Sequence, residues 1–480
     1  MAYINNPHAA ARFGRAALLL PFLLTSACAS IPDLGVKPEP HAASDFQSSA
    51  SLAETRSQWP ADGWWRVYGD AQLGQLMDEA LAGSPDLAAA AARMHAAQGY
   101  AQAAGAALMP SIDAFGSANE SRLSQNGIMP AGVTPSGWND SGSVGLGLTL
   151  DLDLWGKNRA AMRAARLDAK AAEYELDEAR LALTTGVAST YAELAALYAQ
   201  RDSLESALDI REQSLKLVRQ RFDSGLDNTS VLKLAEARIP QTQADLAATD
   251  EAIALTKNAL AALVGAGPDR ALTIDRPGVA LLHSQGVPAG ASIELVGRRP
   301  DVAAARARVE AAAQRIKVAH AAFYPDVSLS ALVGLQSFGL DNLFRNQSQF
   351  GSVGPAVSLP LFHGGALQGQ YRGSRGQYDE TVALYNRQVI EALHQTADAV
   401  TSQKMLVQRA AQSQKALTDY EDALRLAQQR YKQGLSTYLD VLTAQESVVA
   451  ARLRVAELQA RAFTLDVQLI RALGGGFSAA

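Results

Sequence analysis

Few residues in this sequence have the type and spacing to do chemistry. The chain of 480 residues holds one cysteine, Cys28, so no internal disulfide can form. Cys28 ends the run "AALLLPFLLTSAC", which follows Arg12 and Arg15. A basic start, a short apolar run and small residues at a cleavage point describe a secretory signal segment, too short to span a bilayer. A lone thiol at that point is either a leftover or an attachment point. The seven histidines are scattered, without the spacing of a metal site. No phosphate-binding loop, nucleophile elbow or H-E-x-x-H helix occurs. The "GLGL" at 145–148 lacks the third glycine and the following helix of a dinucleotide site, and His363 in "LFHGG" reads as a loop residue. No catalytic residue, metal or cofactor is expected. A secreted hydrolase on a helical stalk would lack its active site. The carboxylates of interest are those placed by regular structure: Asp151 and Asp153 in an alternating run, and Asp440 after a helix turn.

The alternating run is "VGLGLTLDLDLW", Val144 to Trp155. Even positions are Val or Leu, and odd positions to 153 are Gly, Thr or Asp. Period two predicts a strand over 144–155 with one apolar and one small or polar face. Further strands are predicted at 111–119, 326–336 and 351–362. In the third, Val327, Leu329, Ala331, Val333 and Leu335 oppose Ser328, Ser330 and Gly334. In the fourth, Val353, Val357, Leu359 and Leu361 share a face with Pro355, although Pro355 and Pro360 are awkward in a central strand. Runs of about ten residues fit a tilted transmembrane strand. Trp155, and Phe362 in the matching place, fit an interfacial aromatic girdle. Strands in lipid must close into a barrel, and four are too few, so the chain must oligomerise. The apolar face then meets lipid, and Gly145, Gly147, Thr149, Asp151 and Asp153 line a polar lumen.

The strands belong to an internal duplication. "SPDLAAAAARMHAAQGYAQAAGAALMPSIDAFGS" from Ser84 returns as "RPDVAAARARVEAAAQRIKVAHAAFYPDVSLSAL" from Arg299. "SVGLGLTLDLDLWG" returns as "SVGPAVSLPLFHGG", and "QRFDSGLDNTSVLKLAEAR" as "QRYKQGLSTYLDVLTAQES". "ALVG" at 262 returns as "ALGG" at 472. Each copy reads as a helix opened by Pro-Asp, two strands and a very long helix. The long helices are predicted near 157–222 and 367–431, both free of proline and each about 100 Å long. That length points to a coiled coil or helical barrel. Val187, Tyr191, Leu194 and Tyr198 start an apolar seam that continues through Leu208, Leu215 and Phe222. Leu417, Tyr420, Leu424 and Tyr431 form its counterpart.

Charge and hydropathy bound the rest. Net charge is −5; loss of residues 1–27 removes two arginines and no acid, leaving 41 bases against 48 acids. Such a balance excludes a nucleic-acid partner. No later window offers eighteen uninterrupted apolar residues, so no transmembrane helix is expected.

"LLTSAC" resembles a bacterial lipobox, in which the cysteine is lipidated and becomes the new N-terminus; Thr25 stands where that pattern usually has Leu, and a cut after Ala29 also fits. The whole mature chain resembles the outer-membrane efflux channels of the TolC type, in their NodT-like lipoprotein branch. The motifs that carry the likeness are "WWRVYGDAQLGQLMDEAL", "LDLDLWGKNR", "GRRPDVAAARARVEAAA", "AFYPDVSLSA" and "SLPLFHGGAL". The resemblance implies a mainly α fold with transmembrane β: a trimer with a 12-stranded outer-membrane barrel continuous with a long periplasmic α-helical barrel. It implies a signal peptide over 1–27, a lipid-anchored equatorial segment over 28–70 and a first repeat over 71–265. An equatorial linker over 266–292, a second repeat over 293–475 and a tail over 476–480 complete the division. Its partners would be outer-membrane lipid, a periplasmic adaptor and a proton-driven inner-membrane transporter. Gly225, Leu226, Gly434, Leu435 and Ser436 at the hairpin tips would face the adaptor. Asp440 would ring the periplasmic aperture, Thr443 stands where many relatives have a second Asp, and Tyr431 occupies a position that helps hold the closed state. In the first repeat, Val231 stands where Asp440 does in the second. The rival expectation is a periplasmic coiled-coil adaptor without a pore, which leaves the four strands unexplained.

Overall fold

The computed structural model describes residues 31–48, 50–52, 58–124, 135–278 and 297–478. The signal segment, Cys28, residues 279–292 of the linker and Ala479–Ala480 lie outside the described residues. A first helix, α1 (Ala71–Gly83), precedes the duplicated plan. The first copy runs α2 (Pro85–Ala106), β1 (Ser111–Ser121), β2 (Asn139–Asp151), α3 (Lys157–Asp223) and α4 (Thr229–Leu263). The second runs α5 (Pro300–Ala321), β3 (Asp326–Phe338), β4 (Gln349–Ser358), α6 (Ala366–Lys432) and α7 (Tyr438–Ala472). Matching helices are equal in length, at 22, 67 and 35 residues. Pro85 and Pro300 occupy the first helical position, where a missing N–H costs nothing.

Each copy closes on its own start through a glycine. A side chain on Gly265 would meet the Gly83 carbonyl oxygen at 2.1 Å, and one on Gly474 would meet that of Arg298 at 1.8 Å. Both glycines also have left-handed backbone, φ 74° and 87°. The repeated "ALVG" and "ALGG" therefore align one residue differently from their letters: Gly265 matches Gly474.

The ends of the two long helices agree with expectation to within a residue, but those of β2 and β4 do not. β2 begins at Asn139 and stops at Asp151, so Leu152–Trp155 is not strand; β4 stops at Ser358, so Leu359–Phe362 is not strand. The four strands form one antiparallel sheet in the order β1-β2-β3-β4. Register puts Asp113, Gly147, Leu332 and Ser352 on one face, and Ile112, Leu148, Ala331 and Val353 on the other.

The chain forms two compact units. One comprises the described residues of Met1–Pro40, His95–Ala171 and Arg306–Leu384, and it holds the sheet. The other comprises His41–Met94, Ala172–Ala305 and Tyr385–Ala480. In the second, Trp64, Trp65 and Tyr68 pack with Leu73, Leu76, Tyr191, Leu260 and Phe463, which gives the "WWRVYGDAQL" motif its place in the core. Arg299 of "GRRPD" forks onto Asp301 (3.0 and 2.6 Å) and also reaches Gln395 and the Ala472 carbonyl. It thereby ties α5, α6 and α7 together. Val187, Tyr191, Leu194, Leu215, Leu424 and Tyr431 of the seam are buried, whereas Tyr420 is 44% exposed.

Candidate functional site

The two hairpin tips are built alike. At the α3–α4 turn, Gly225 N donates to the Phe222 carbonyl (2.9 Å) and Leu226 N to that of Arg221 (2.8 Å). At the α6–α7 turn, Gly434 N donates to Tyr431 O (3.0 Å) and Leu435 N to Arg430 O (2.8 Å). This is a glycine-closed helix end with left-handed glycine, φ 73° and 75°. The residue after that glycine usually folds its apolar side chain back onto the helix. Here Leu226 and Leu435 are both 65% exposed. Ser436 is half-buried, and its hydroxyl has no hydrogen-bond partner among the described residues.

The next helices are capped differently. Asn228 accepts the Val231 N–H (3.1 Å). In the second tip the Asp440 carboxylate accepts the Thr437 backbone N–H (2.8 Å) and hydroxyl (2.9 Å). These two hydrogen bonds hold the Asp440 carboxyl below the usual range. Asp440 is therefore an exposed first-turn cap of α7. Thr443 is exposed too, and its hydroxyl back-bonds to Leu439 O (2.9 Å).

Tyr431 sits where the two tips meet. Its hydroxyl donates to Asp227, which also takes Arg221 Nε at 3.0 Å. Arg221 Nη1 donates to the Tyr431 carbonyl (3.0 Å), and its guanidinium lies 4.4 Å from the Tyr431 ring centre. The ring is buried, beside Tyr438 at 5.8 Å. Burial, reinforced by the bond to Asp227, pushes the Tyr431 phenol well above its ordinary value, so it stays a donor. Two more cross-links join the hairpins: Arg211 reaches Thr242 and Glu446 (2.9 Å), and Arg452 reaches Glu421 (2.7 Å) and Ser206. Sequence reasoning found Tyr431 and missed Asp227, Arg221 and Arg211. Tyr431 and Asp227 stand 204 residues apart, so no local pattern links them.

At the strand ends one expectation is corrected. Asp153 does not line a lumen from a strand. It is buried in a turn with φ 44°, and its carboxylate accepts Asn158 N (2.8 Å), Arg159 N (3.0 Å) and Arg159 Nε (3.0 Å). That caps the start of α3. Asp151 is the last residue of β2 and is likewise engaged, accepting Asp153 N (2.8 Å) and Asn158 Nδ2 (2.7 Å). Thr149 is exposed and lies on the polar face, opposite Ser111 and Ser330. Trp155 donates to Pro325 O (2.8 Å) and stacks on Tyr324 at 4.7 Å. Phe362 does not mirror it; it is 87% exposed between β4 and α6. Among the described residues no group of side chains could hold a metal, and no helix is long and apolar enough to cross a membrane.

The family model described as outer membrane efflux protein matches residues 76–266 and 293–475, the two repeats. The chain belongs to the outer membrane efflux protein family. It is 34% identical over 470 residues to the multidrug resistance outer membrane protein MdtP of Escherichia coli O6:H1, covering 95% of each chain. It is 31% identical to the pyoverdine export outer membrane protein OpmQ of Pseudomonas aeruginosa, over 86% of this chain and 87% of that one. Among solved structures it resembles the outer membrane protein VceC of Vibrio cholerae, with TM-score 0.84 and 45% identity over 88% of this chain and all of that one. As an outer membrane efflux protein it is a channel of the outer membrane, and the poreless adaptor expectation falls. The Tyr431 cluster and the two glycine tips are then features of an efflux channel's two helical hairpins.

Proposed function

We propose that three copies of this efflux protein close their sheets into one 12-stranded barrel and carry small organic molecules out through it. One observation carries this reading. The sheet's apolar face is uncovered, with Ile112 65% and Val353 77% exposed, and its opposite face is mostly small and polar, broken by Phe115, Leu332 and Phe350. Among the described residues both edges, β1 and β4, are open. A bilayer suits the apolar face, and only closure with further copies pairs the edges. The relatives' names, multidrug resistance and pyoverdine export, suit organic solutes as cargo.

In this reading the duct does no chemistry. Cargo arrives from an inner-membrane transporter, proton-driven, through a periplasmic adaptor. The exposed leucines of the tips, Leu226 and Leu435, with Gly225, Gly434 and Ser436 shaping the turns, form the adaptor's docking points. Tyr431, held by Asp227 and Arg221, keeps the hairpins together at the periplasmic aperture. Three copies of Asp440 give that aperture one acidic ring, and Thr443 adds no charge. Cys28 carries the lipid anchor. Support for the anchor comes from the segment after it, which lies along α6: Tyr378 donates to Pro38 O (2.9 Å), and Arg375 reaches the Gly35 and Val36 carbonyls.

Single-channel recording in planar bilayers tests the proposal. Small, cation-preferring conductance in the wild type, with the preference lost in Asp440→Ala, is the expected result. Absence of conductance from folded, membrane-extracted protein in both forms would contradict it.

A further inference from the structure

A groove of about 610 Å³ opens in the strand-bearing unit between the start of α3, the end of α5 and the start of α6. Its walls include Trp155, Arg163, Lys317, His320, Tyr324 and Tyr371, and no carboxylate lines it. Arg159 also reaches the groove, but Asp153 neutralises it at 3.0 Å. Arg163 and Lys317 are exposed, and neither has a hydrogen bond or ion pair among the described residues. The aromatic wall is continuous. Trp155 stacks on Tyr324 at 4.7 Å, and His320 lies 5.5 Å from Tyr324 and 5.7 Å from Tyr371. Trp155 and Tyr324 stand just outside the ends of β2 and β3, where a transmembrane strand leaves lipid.

The N-terminal segment tells which side of the chain this is. Tyr371, Arg375 and Tyr378 step by four and three, so they form one stripe of α6. Arg375 and Tyr378 carry the carbonyls of Gly35, Val36 and Pro38, and Lys37 lies over the Tyr378 ring at 4.1 Å. Burial, with the nearby Lys317 and Arg375 charges, holds Lys37 below the usual lysine range. The segment that leads back toward the chain's secretory leader thus lies beside the groove, on the same stripe. Arg375 is about 14 Å along α6 from its first residue. The eight residues from Val36 back to Cys28 reach at most about 28 Å, enough to return to the level of the strand ends. The groove therefore faces the side that a membrane tether reaches.

We infer that this groove binds the phosphate of an anionic phospholipid headgroup in the periplasmic leaflet of the outer membrane. Arg163 and Lys317 supply two uncompensated cations at headgroup level, where each base adds to attraction for anionic lipid. Trp155, Tyr324 and Tyr371 supply the aromatic rim that prefers the interface. Lys37 adds a further positive charge near Lys317, so an anion relieves repulsion already present. The inference rests on the strands crossing the outer membrane; the tether bears only on which side of the chain meets lipid, and binding in the groove itself does not need acylation of Cys28.

Native mass spectrometry of the detergent-purified full-length protein, mixed with equimolar phosphatidylglycerol and phosphatidylcholine, tests it. Selective retention of phosphatidylglycerol by the wild type is expected. Affinity falls about fivefold for each base removed and about thirtyfold in Arg163→Gln/Lys317→Gln. Both side chains are exposed, so the variants keep the wild-type melting temperature; Lys317→Met alone gives a second check at about fivefold. The same differences are expected in a Cys28→Ser background, which separates the groove from the anchor. Equal retention of both lipids, or unchanged affinity in the double variant, overturns the inference. Displacement of the lipid by excess inorganic phosphate would make the groove a free-anion site and overturn the lipid assignment.

Discussion

Asp227→Asn is the sharpest perturbation of the hairpin tips. The substitution keeps shape and removes charge. Asp227 and Arg221 form a pair with side chains only 11% and 14% exposed, at 3.0 Å. Asp227 also receives the hydroxyl of Tyr431, whose ring is buried. The Tyr431 bond turns from charge-assisted to neutral and the Arg221 bond loses its anionic acceptor, at about 1 kcal/mol each. Leaving Arg221 without its carboxylate adds to this, since breaking a buried pair costs about 3–5 kcal/mol. Arg221 keeps the Tyr431 carbonyl and ring, so the total is about 3 kcal/mol. Tyr431→Phe removes a single hydroxyl and costs about 1.5 kcal/mol. The double variant then loses about 1 kcal/mol less than the sum, because the two share one bond. Chemical denaturation of the detergent-solubilised protein measures the cycle. About 3 kcal/mol also shifts an equilibrium between joined and parted hairpins by roughly a hundredfold, which bilayer recording registers as longer or larger openings. Strictly additive effects, or an Asp227→Asn channel that opens no more than wild type, would refute the latch.

Three further outcomes follow from other parts of the chain. Asp153→Ala removes the cap of α3 and the partner of Arg159, and lowers stability by about 2 kcal/mol in denaturant titration; an unchanged midpoint would restore Asp153 to a lumen role. Gly474→Ala, blocked by the Arg298 carbonyl and by φ 87°, destabilises by more than about 2 kcal/mol, whereas Gly369→Ala, with nothing within 4 Å, is neutral or stabilising by about 0.5 kcal/mol in melting experiments. Burial, with Asp301 nearby, raises Glu178 to about 7. Its folded form holds the proton more tightly than the unfolded form, so stability is full below pH 4.5 and is lost as pH rises through about 7. The slope of melting temperature over that window flattens in Glu178→Gln, and an identical slope would remove Glu178 as its source.

The elements legible in the sequence were those whose pattern runs unbroken. The two 67-residue helices were read to within a residue because no proline or glycine turn interrupts them before Gly225 and Gly434. The core of β2 was read from alternation. Its ends were not. Alternation continues through Asp153 although the chain has already turned, because a helix-capping aspartate and a strand aspartate look alike at period two. The start of β2, Asn139–Ser143, is polar and reads as loop; pairing with β1 and β3, from Ser121↔Asn139 to Ser143↔Gln336, makes it strand. The capping box at Thr437 and Asp440 stands in the sequence as Thr-x-x-Asp but was not read from it. The Asp227–Tyr431 contact was not, since only tertiary packing brings it about.

Cysteine cross-linking between the two edge strands tests closure of the sheet by further copies. In a Cys28→Ser background, pairs placed on β1 and β4, scanning Ala114 and Ala118 against Gly351, Val353 and Val357, bring no pair together within a chain, because β2 and β3 intervene. Oxidised products on denaturing gels are expected to stop at three chains, with the full ring dominant for the pair in register. Only monomer for every pair, or ladders that continue past three, would contradict it.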